Sequence, residues 1–315
     1  MKIAFVFPGQ GSQSIGMMGG FGAHPVVRRT FDEASAVLGE DLWGLAESGS
    51  EEALALTTNT QPLMLTAGVA VWRAWCETSE WRPTLVAGHS LGEYAALVAA
   101  GALTLEDAVP LVRFRAQVMQ EAVPEGVGAM AAILGLDDAQ VIALCAAQSA
   151  ADAVVEAVNF NSPGQVVVAG HKNAVEQLMV AAKEGGAKRA VLLPVSAPFH
   201  SSLLAPAAAR LAERLREVPF CAPDIALIHN VDVREHDTAE AIRQALAMQA
   251  ARPVRWTQTL QEMQARGVTH IIECGPGKVL AALTKRATDG ITGLALTDSD
   301  AIGKAQETLA SVRDR

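Results

Sequence analysis

The sequence has few cysteines and few aromatic residues, and it lacks a long apolar run. Its four cysteines, Cys76, Cys145, Cys221 and Cys274, stand far apart and form no C-x-x-C pair. This spacing excludes the common cysteine-based zinc and redox motifs and favours reduced thiols over a disulfide framework. Nowhere do about eighteen apolar residues run together, and the first apolar run ends at Pro8, too soon for a signal peptide. We therefore expect a cytoplasmic protein that does not enter a membrane.

Basic residues are outnumbered, because 25 lysines and arginines stand against 34 aspartates and glutamates, for a formal net charge of −9. A negative net charge repels a polyanion, so we expect no nucleic acid partner. Half of the 315 residues are apolar, which is enough to bury the core of a large α/β domain with a smaller domain attached.

One stretch combines a strand, a tight turn and a helix. An apolar run ends at Gly88, a helix-forming run starts near Glu93, and the sequence Gly88-His89-Ser90-Leu91-Gly92 lies between them. In such a G-x-S-x-G turn the serine hydroxyl stands above the sheet, and backbone approaches the positions two before and two after it so closely that they must be glycine. The alternative is an idle serine in a glycine-rich turn. We predict that Ser90 is a nucleophile and that N–H groups at the start of the following helix stabilise an oxyanion.

The N-terminus predicts a strand followed by a ligand-binding loop. The apolar run at 2–7 is typical of a buried strand in a mostly parallel sheet, and the loop at 8–13 follows it. Two glycines in this loop begin a dinucleotide fingerprint, but the third glycine of that pattern is absent. Because ligands bind at the carboxyl ends of parallel strands, we expect Gln10 to lie at the same crevice as Ser90.

The pattern changes after Pro124. The predicted elements that follow are strands at 128–134, 154–160, 165–169 and 187–195 and helices at 137–147 and 173–184. This β-α-β-β-α-β order is that of a ferredoxin-like domain. We therefore predict a ferredoxin-like insert at 125–197 in an α/β-hydrolase-like large domain with a mostly parallel sheet, made of 1–124 and 198–315.

The large domain is predicted to alternate helices and strands. Its first part is mainly helical over 25–77, with a helix start at Pro62, and a further helix at 104–122 is capped by Thr104. Its last part is predicted to contain strands at 226–229 and 270–274 and helices at 238–249, at 257–266, from 278 and up to Asp314 and Arg315.

A serine nucleophile needs a base, and seven histidines are available. His89 is expected to brace the turn, because a neighbour in so tight a turn points away from Ser90. Two others, His229 and His270, lie in strand-like runs where hydrogen-bonded core histidines are common. His24, His171 and His236 stand in polar surroundings and are expected to be solvated. His200 remains as the candidate base, since it lies where the insert ends and the chain rejoins the large domain.

Two further pairs of side chains could belong to a site. Arg113 and Arg115 are two residues apart on one predicted helix, so at most one of them can face Ser90. His270 and Cys274 have no third partner, so we expect no metal site.

Several motifs together resemble the malonyl-CoA:acyl carrier protein transacylases of fatty acid synthesis. The motifs are Phe-Pro-Gly-Gln-Gly-Ser-Gln at 7–13, Gly-His-Ser-Leu-Gly-Glu at 88–93, Arg-Ala-Gln-Val-Met-Gln at 115–120, Val-Asn-Phe-Asn-Ser-Pro-Gly-Gln at 158–165, Pro-Phe-His-Ser at 198–201 and Gly-Pro-Gly-Lys at 275–278. The likeness runs in order from residue 3 to about 286, so it covers nearly the whole chain.

This resemblance implies a role for each matching residue. Ser90 would carry the acyl group, and His200 would act as general base and then as general acid. The main-chain carbonyl of Gln249 would orient the histidine, backbone N–H groups of Gln10 and Leu91 would form the oxyanion hole, and Arg115 would bind the malonyl carboxylate. Phe199 would narrow the pocket in favour of malonyl over methyl-branched acyl groups.

The resemblance also implies the partners. Malonyl-CoA, a coenzyme A thioester, would be the substrate, no cofactor would be permanently bound, and acyl carrier protein would be the acceptor. Carrier proteins of this kind are acidic, so an acidic enzyme needs a local basic region, for which Lys188 and Arg189 are candidates. The chain is expected to act as a monomer.

Three other functions remain open. A serine esterase or thioesterase shares the turn and the histidine, but the sequence shows no acid as a third triad member and Arg115 has no role with a neutral ester. An acyltransferase of malonate decarboxylase or of a polyketide pathway would use the same chemistry with a different carrier. A docking module without activity is disfavoured by the intact Ser90, His200 and Arg115.

Overall fold

A computed structural model describes residues 1–195 and 197–313. Its strands are β1 Lys2–Phe7, β2 Leu85–Gly88, β3 Gly128–Leu134, β4 Val155–Ser162, β5 Gln165–His171, β6 Arg189–Leu192, β7 Ala226–Leu227, β8 Val268–Cys274 and β9 Thr292–Leu296. Its helices are α1 Pro25–Leu38, α2 Leu42–Ser48, α3 Glu51–Ala55, α4 Thr57–Thr78, α5 Gly92–Ala99, α6 Leu105–Glu121, α7 Asp138–Gln148, α8 Lys172–Glu184, α9 Ala205–Leu215, α10 Ala239–Gln249, α11 Trp256–Ala265, α12 Val279–Ala287 and α13 Ser299–Arg313.

Five strands form a parallel sheet in the order β7-β2-β1-β8-β9. Side chains of β1 alternate between two apolar cores, because successive residues of a strand point to opposite faces. Phe5 and Phe7 lie in one core, where Phe5 packs edge-on against two tryptophans, and Ala4 and Val6 lie in the other. Both faces of the sheet are therefore buried, as the continuous apolar run of β1 predicts.

Four strands form a smaller antiparallel sheet in the order β4-β5-β3-β6. The helices α7 and α8 cover one face of this sheet in a core of their own. The opposite face carries Met130, Val158 and Val167, which pack in a shared core with Val118 and Met119 of α6. The protein is thus an α/β structure in which a parallel sheet is joined by a smaller antiparallel one.

Some predicted boundaries are wrong. Pro62 does not start a helix but lies within α4, which begins at Thr57, so the proline removes one intrahelical hydrogen bond from an early turn. The last strand of the small sheet is shorter than predicted, at Arg189–Leu192. The elements α9 and β9 were not predicted. The predicted end of the terminal helix at Asp314 and Arg315 falls outside the described residues.

Within the described residues, no helix combines the length and apolarity needed to cross a bilayer.

Candidate active site

The turn between β2 and α5 holds Ser90 in a left-handed conformation, with φ of 52°. A Cβ on Gly88 would lie 1.9 Å from the carbonyl carbon of Gly92, and a Cβ on Gly92 would lie 2.0 Å from the carbonyl oxygen of Phe7. No side chain fits in either place, so both positions must be glycine. The predicted reason for the glycine spacing is therefore confirmed.

The structure brings Ser90 and His200 together from parts of the chain 110 residues apart, with Oγ 2.6 Å from Nε2. The other ring nitrogen, Nδ1, lies 2.8 Å from the main-chain oxygen of Gln249. A carbonyl only accepts, so Nδ1 carries the proton and donates to it, and Nε2 is left free to accept the serine proton. His200 also has a left-handed backbone, with φ of 65°.

Burial keeps this imidazole neutral. Desolvation lowers the pKa of His200 to about 3, and the nearby positive charge of Arg115 acts in the same direction. A neutral imidazole is the form that can accept a proton, so the histidine is ready to act as a base at neutral pH.

Arg115 lies beside the serine and is only 1% exposed. Its Nη1 donates to Oε1 of Gln61 at 2.8 Å, and its Nη2 donates to Oε1 of Gln249 at 2.9 Å and to Oγ of Ser90 at 3.1 Å. The guanidinium carbon also lies 5.5 Å from the centre of the Tyr94 ring. All three hydrogen-bond acceptors are uncharged, and burial lowers the pKa of Arg115. A buried guanidinium with uncharged partners favours the binding of an anion beside the serine.

A cavity of about 120 Å³ opens next to these groups. It is lined by Gln10, Gln61, His89, Ser90, Leu91, Arg115, Met119, Met130, Asn159, Leu193, Val195, Phe199 and His200. All the sequence-predicted site residues except Gln249 line this cavity, and Gln249 contacts the lining through its hydrogen bonds to Arg115 and His200. The side chain of Gln10 also donates to Oγ1 of Thr57 at 3.3 Å.

The remaining candidates divide as follows. Nε2 of His89 lies 2.8 Å from Oδ1 of Asn161, so His89 braces the turn as predicted. Arg113 forms a two-bond ion pair with Glu40 at the surface, so only Arg115 of the two arginines faces the serine.

Two histidines predicted to be solvated are instead held by hydrogen bonds. Nδ1 of His171 accepts from the backbone N–H of Val154 at 3.0 Å, and Nε2 of His236 lies 2.9 Å from the carboxylate of Asp232. Their polar sequence neighbours did not indicate these partners, because each bond depends on how the chain turns locally.

The structure adds residues that sequence reasoning did not select. Gln61 holds Arg115, and Asn230 contacts the serine turn through its side-chain amide. The only available signal for Asn230 was its place just after a short strand, where side chains reach the carboxyl edge of a parallel sheet. Within 1–195 and 197–313, no three His, Cys, Asp or Glu side chains are grouped so that they could hold a metal ion.

Comparisons with known proteins identify the family of the chain. The acyl transferase domain family matches residues 4–308. A malonyl CoA-acyl carrier protein transacylase of Salmonella typhimurium is 53% identical over 305 residues, which are 96% of this chain and 98% of that protein.

Solved structures match over the same extent. The acyl-carrier-protein S-malonyltransferase of Burkholderia pseudomallei has a TM-score of 0.96 at 57% identity and covers 98% of this chain and 100% of its own. A malonyl-transacylase solved in complex with its type II PKS acyl-carrier protein has a TM-score of 0.96 at 49% identity, with coverage of 98% and 100%. The chain belongs to the acyl transferase domain family, among the malonyl CoA-acyl carrier protein transacylases.

Proposed function

We propose that the protein transfers a malonyl group from coenzyme A to the phosphopantetheine thiol of an acyl carrier protein, through a malonyl ester on Ser90, and so supplies fatty acid synthesis. One observation carries the choice of acyl group. Arg115 is buried with uncharged partners, and its Nη2 lies 3.1 Å from the serine hydroxyl. The carboxylate of Glu93 acts on Arg115 only through space. A free carboxylate on the acyl group would be a directly bonded anion and could accept two hydrogen bonds from the planar guanidinium.

In the first half-reaction the oxygen of Ser90 attacks the thioester carbonyl, and Nε2 of His200 takes the hydroxyl proton. Backbone N–H groups of Gln10 and Leu91 stabilise the oxyanion. The C–S bond then breaks, and the imidazolium returns its proton to the departing thiolate of coenzyme A. The products are malonyl-Ser90 and free coenzyme A.

In the second half-reaction the carrier thiol replaces coenzyme A. His200 takes the thiol proton, the thiolate attacks the malonyl ester, and the proton passes to the oxygen of Ser90 as the C–O bond breaks. The carbonyl of Gln249 keeps the imidazole in the required tautomer throughout. It stabilises imidazolium less than a carboxylate would, which suffices because a thioester needs less activation than an amide.

The substrate carboxylate also improves the base. The positive charge of Arg115 is one cause of the low pKa of His200. A bound carboxylate would neutralise this charge, so that the imidazolium formed during attack is less strongly disfavoured. An acetyl group has no such effect and gives the guanidinium no anionic partner, which supports selectivity for malonyl.

Incubation with radiolabelled malonyl-CoA in the absence of carrier tests this function. We expect one stable malonyl ester per chain, which disappears in Ser90→Ala and moves to holo carrier protein when the carrier is added. Steady release of free malonate instead would identify a serine thioesterase or esterase.

A polyketide carrier is a second candidate acceptor, because one of the similar structures is that of a malonyl-transacylase with its type II PKS acyl-carrier protein. An acyltransferase of malonate decarboxylase would differ in the same respect. Transfer rates to purified holo carriers of each class distinguish them, and the preferred carrier has the highest kcat/KM.

We also propose a ferredoxin-like insert at 125–197 and an α/β-hydrolase-like unit made of 1–124 and 198–315. The β-α-β-β-α-β element order and the strand order β4-β5-β3-β6 support the first part of this proposal. Five parallel strands with the serine turn after β2 support the second. Limited proteolysis that first cuts inside either unit, rather than near 124 or 197, would contradict the division.

We propose further that the protein acts as a monomer without a bound cofactor, and that the exposed Lys188 and Arg189 contact the carrier. Sedimentation of the purified protein tests the first point, and a dimer at micromolar concentration would contradict it.

A further inference from the structure

Asn230 binds the backbone of the serine turn on both sides of His89. Its Oδ1 accepts from the backbone N–H of Ser90 at 2.7 Å, and its Nδ2 donates to the carbonyl of Gly88 at 2.7 Å. The residue follows β7, the neighbour of β2 in the parallel sheet, and it is 1% exposed. A primary amide offers one acceptor and one donor side by side, which is what these two backbone groups require.

The turn needs such a partner because its conformation is strained. A non-glycine residue with a left-handed backbone is disfavoured and persists only when its surroundings hold it there. Ser90 has this conformation, and its N–H and the carbonyl two residues before it are the groups that Asn230 binds. The contacts therefore fix the direction in which the serine hydroxyl leaves the turn.

Glu93 holds the backbone of Asn230 in place. Its buried carboxylate accepts from the backbone N–H of Asn230 at 3.0 Å, from Nε2 of Gln249 at 3.0 Å and from Nδ1 of His229 at 2.7 Å. The second amide hydrogen of Gln249 reaches the carbonyl of Ser90 at 2.9 Å. One carboxylate thus joins the segment that holds the serine to the residue whose carbonyl orients His200.

The loop that presents Asn230 is itself strained. Among the described non-glycine residues, three have a left-handed backbone, and these are Ser90, His200 and Val233. Val233 is β-branched, so the conformation is especially unfavourable for it. The loop is closed by bonds from the N–H of His229 to the carbonyl of Arg234 at 2.9 Å and from the N–H of Val233 to the carbonyl of His229 at 3.1 Å. Strain in a loop away from the reacting atoms is consistent with a loop shaped to place one side chain.

We propose that Asn230, anchored by Glu93, is a positioning residue that holds Ser90 in its attacking conformation. The inference deepens the proposed function, since it needs Ser90 to be a nucleophile, but it does not depend on which acyl group the serine takes. It predicts that loss of the hydrogen bonds from Asn230 to the serine turn slows attack by Ser90 without weakening the binding of malonyl-CoA.

The test uses the full-length protein and a fluorophosphonate probe. The serine oxygen attacks phosphorus, fluoride leaves, and the serine proton passes to the base, so the labelling rate reports serine reactivity without malonyl-CoA. Asn230→Asp keeps the size of the side chain but places an acceptor against the carbonyl of Gly88. Glu93→Gln keeps the size but replaces one acceptor oxygen by an NH2 group, which then faces either Nδ1 of His229 or the two donors from Asn230 and Gln249. Thr284→Val is the matched control, because it removes a buried hydrogen bond on α12.

We expect Asn230→Asp and Glu93→Gln to label about tenfold more slowly than the parent per folded molecule. Thr284→Val should label within about twofold of the parent even if its melting temperature falls by the same amount. The KM for malonyl-CoA in acylation should stay within about threefold in the Asn230 variants and in Thr284→Val. If Asn230→Asp does not fold, Glu93→Gln and Asn230→Ser give the same reading.

Labelling of the folded Asn230 and Glu93 variants at the parental rate would overturn the inference. So would a slowing that Thr284→Val shares in proportion to its loss of stability. If the parent labels rapidly but transfers no malonyl group, the proposed function fails while the positioning role is still tested.

Discussion

At the scale of single residues, the site depends on two buried side chains, one that is uncharged and one that carries a positive charge. His200 must be neutral to accept a proton, and burial together with the neighbouring positive charge keeps it so. Arg115 carries that charge and has only uncharged acceptors in the cavity. The same guanidinium therefore helps to keep His200 neutral in the free protein and, under the proposed function, would bind the carboxylate of the substrate.

Replacing Arg115 with alanine should change acyl selectivity. Loss of a buried charge partner costs several kcal/mol, so the ratio of kcat/KM for malonyl-CoA to that for acetyl-CoA should fall about 100-fold. Acyl-enzyme formation measured by rapid quench with each thioester gives this ratio. Arg113→Ala is the control, because this neighbouring arginine is paired with Glu40 at the surface, and it should leave the ratio unchanged. Equal losses for both substrates in Arg115→Ala would remove the argument for a carboxylate clamp.

The acylation rate should have no acid limb near neutral pH. With a pKa of about 3 in the free protein, His200 stays neutral as the pH falls from 8 to 5, so kcat/KM for malonyl-CoA should change by less than about threefold. A histidine with the ordinary pKa of about 6.5 would lose about thirtyfold over the same range. Initial rates after jumps from pH 7.5 separate this effect from acid inactivation. A limb with a midpoint near 6.5 would be the contrary result.

Phe199 should limit the width of the acyl pocket. It lines the cavity and packs in the core between the small sheet and α6. Phe199→Ala should therefore raise the ratio of kcat/KM for methylmalonyl-CoA to that for malonyl-CoA about tenfold. Phe220→Ala removes an equally buried ring from the core that contains Phe5 and Phe7, and it should leave the ratio unchanged. An unaltered ratio in Phe199→Ala would mean that the ring does not meet the acyl group.

At the scale of elements, the start of α12 illustrates a buried acid used in place of a cap. Glu273 lies near the end of β8, and its carboxylate accepts from the backbone N–H of Ala281 at 2.8 Å. Burial raises the pKa of Glu273 to about 7, although hydrogen bonds from the backbone N–H groups of Val279, Leu280 and Ala281 act in the opposite direction. The folded protein therefore holds a proton on Glu273 that the unfolded chain releases at lower pH.

This difference predicts how stability depends on pH. Between the unfolded pKa of about 4.5 and the folded pKa of about 7, the folded state binds more protons, so the free energy of unfolding falls as the pH rises. Glu273→Gln cannot ionise, so its stability relative to the parent should improve by an amount on the order of 1–3 kcal/mol between pH 5 and pH 8. Urea titrations at several pH values measure this change. A difference that does not change with pH for Glu273→Gln would contradict the prediction.

At the scale of the whole molecule, the site lies where the two sheets meet. Ser90 comes from the turn at the carboxyl end of β2, His200 from the segment after β6, and Gln249 from the end of α10. The antiparallel sheet contributes Met130 to the cavity wall. No single segment of the chain contains a complete site, so the reaction depends on how these parts are placed.

Docking of the carrier depends on the surface of the whole molecule, where Lys188 and Arg189 are the proposed contacts. If Lys188 and Arg189 contact the acidic carrier, reversing both charges should raise the carrier KM about tenfold at low salt while acylation by malonyl-CoA is unchanged. The double variant Arg28→Glu/Arg29→Glu on α1 is the control for net charge. Steady-state kinetics with holo carrier protein make the comparison, and an unchanged carrier KM in the first variant would refute the contact.

Local signals were enough to predict the serine turn, because its glycines follow from clashes among neighbouring residues. The parallel strands and the β-α-β-β-α-β order could also be predicted, since each depends on short apolar runs and turn residues. Asn230 and Gln61 could not be found in this way. Each becomes part of the site only through contacts across 140 and 54 residues of chain, and no local pattern reports such a distance.

Pro62 shows the opposite failure, in which a strong local signal is overruled. Proline commonly begins a helix, but the residues before it, from Thr57, already form helical turns that pack into the core. The short strands β7 and β9 were misjudged or missed because they take their form from neighbours in the sheet rather than from their own composition.

Different elements of the fold supply the reacting side chains and part of the cavity wall, so acyl specificity can evolve separately from the reacting groups. Ser90 stands on the turn after β2 and His200 on the segment after β6, whereas Met130 and Asn159 close the cavity from strands β3 and β4 of the smaller sheet. Substitutions on these two strands can enlarge or narrow the cavity for a longer or branched acyl chain while Ser90 and His200 keep their positions. Related proteins could thus come to accept new acyl groups through substitutions in the smaller sheet, without any change at Ser90 or His200.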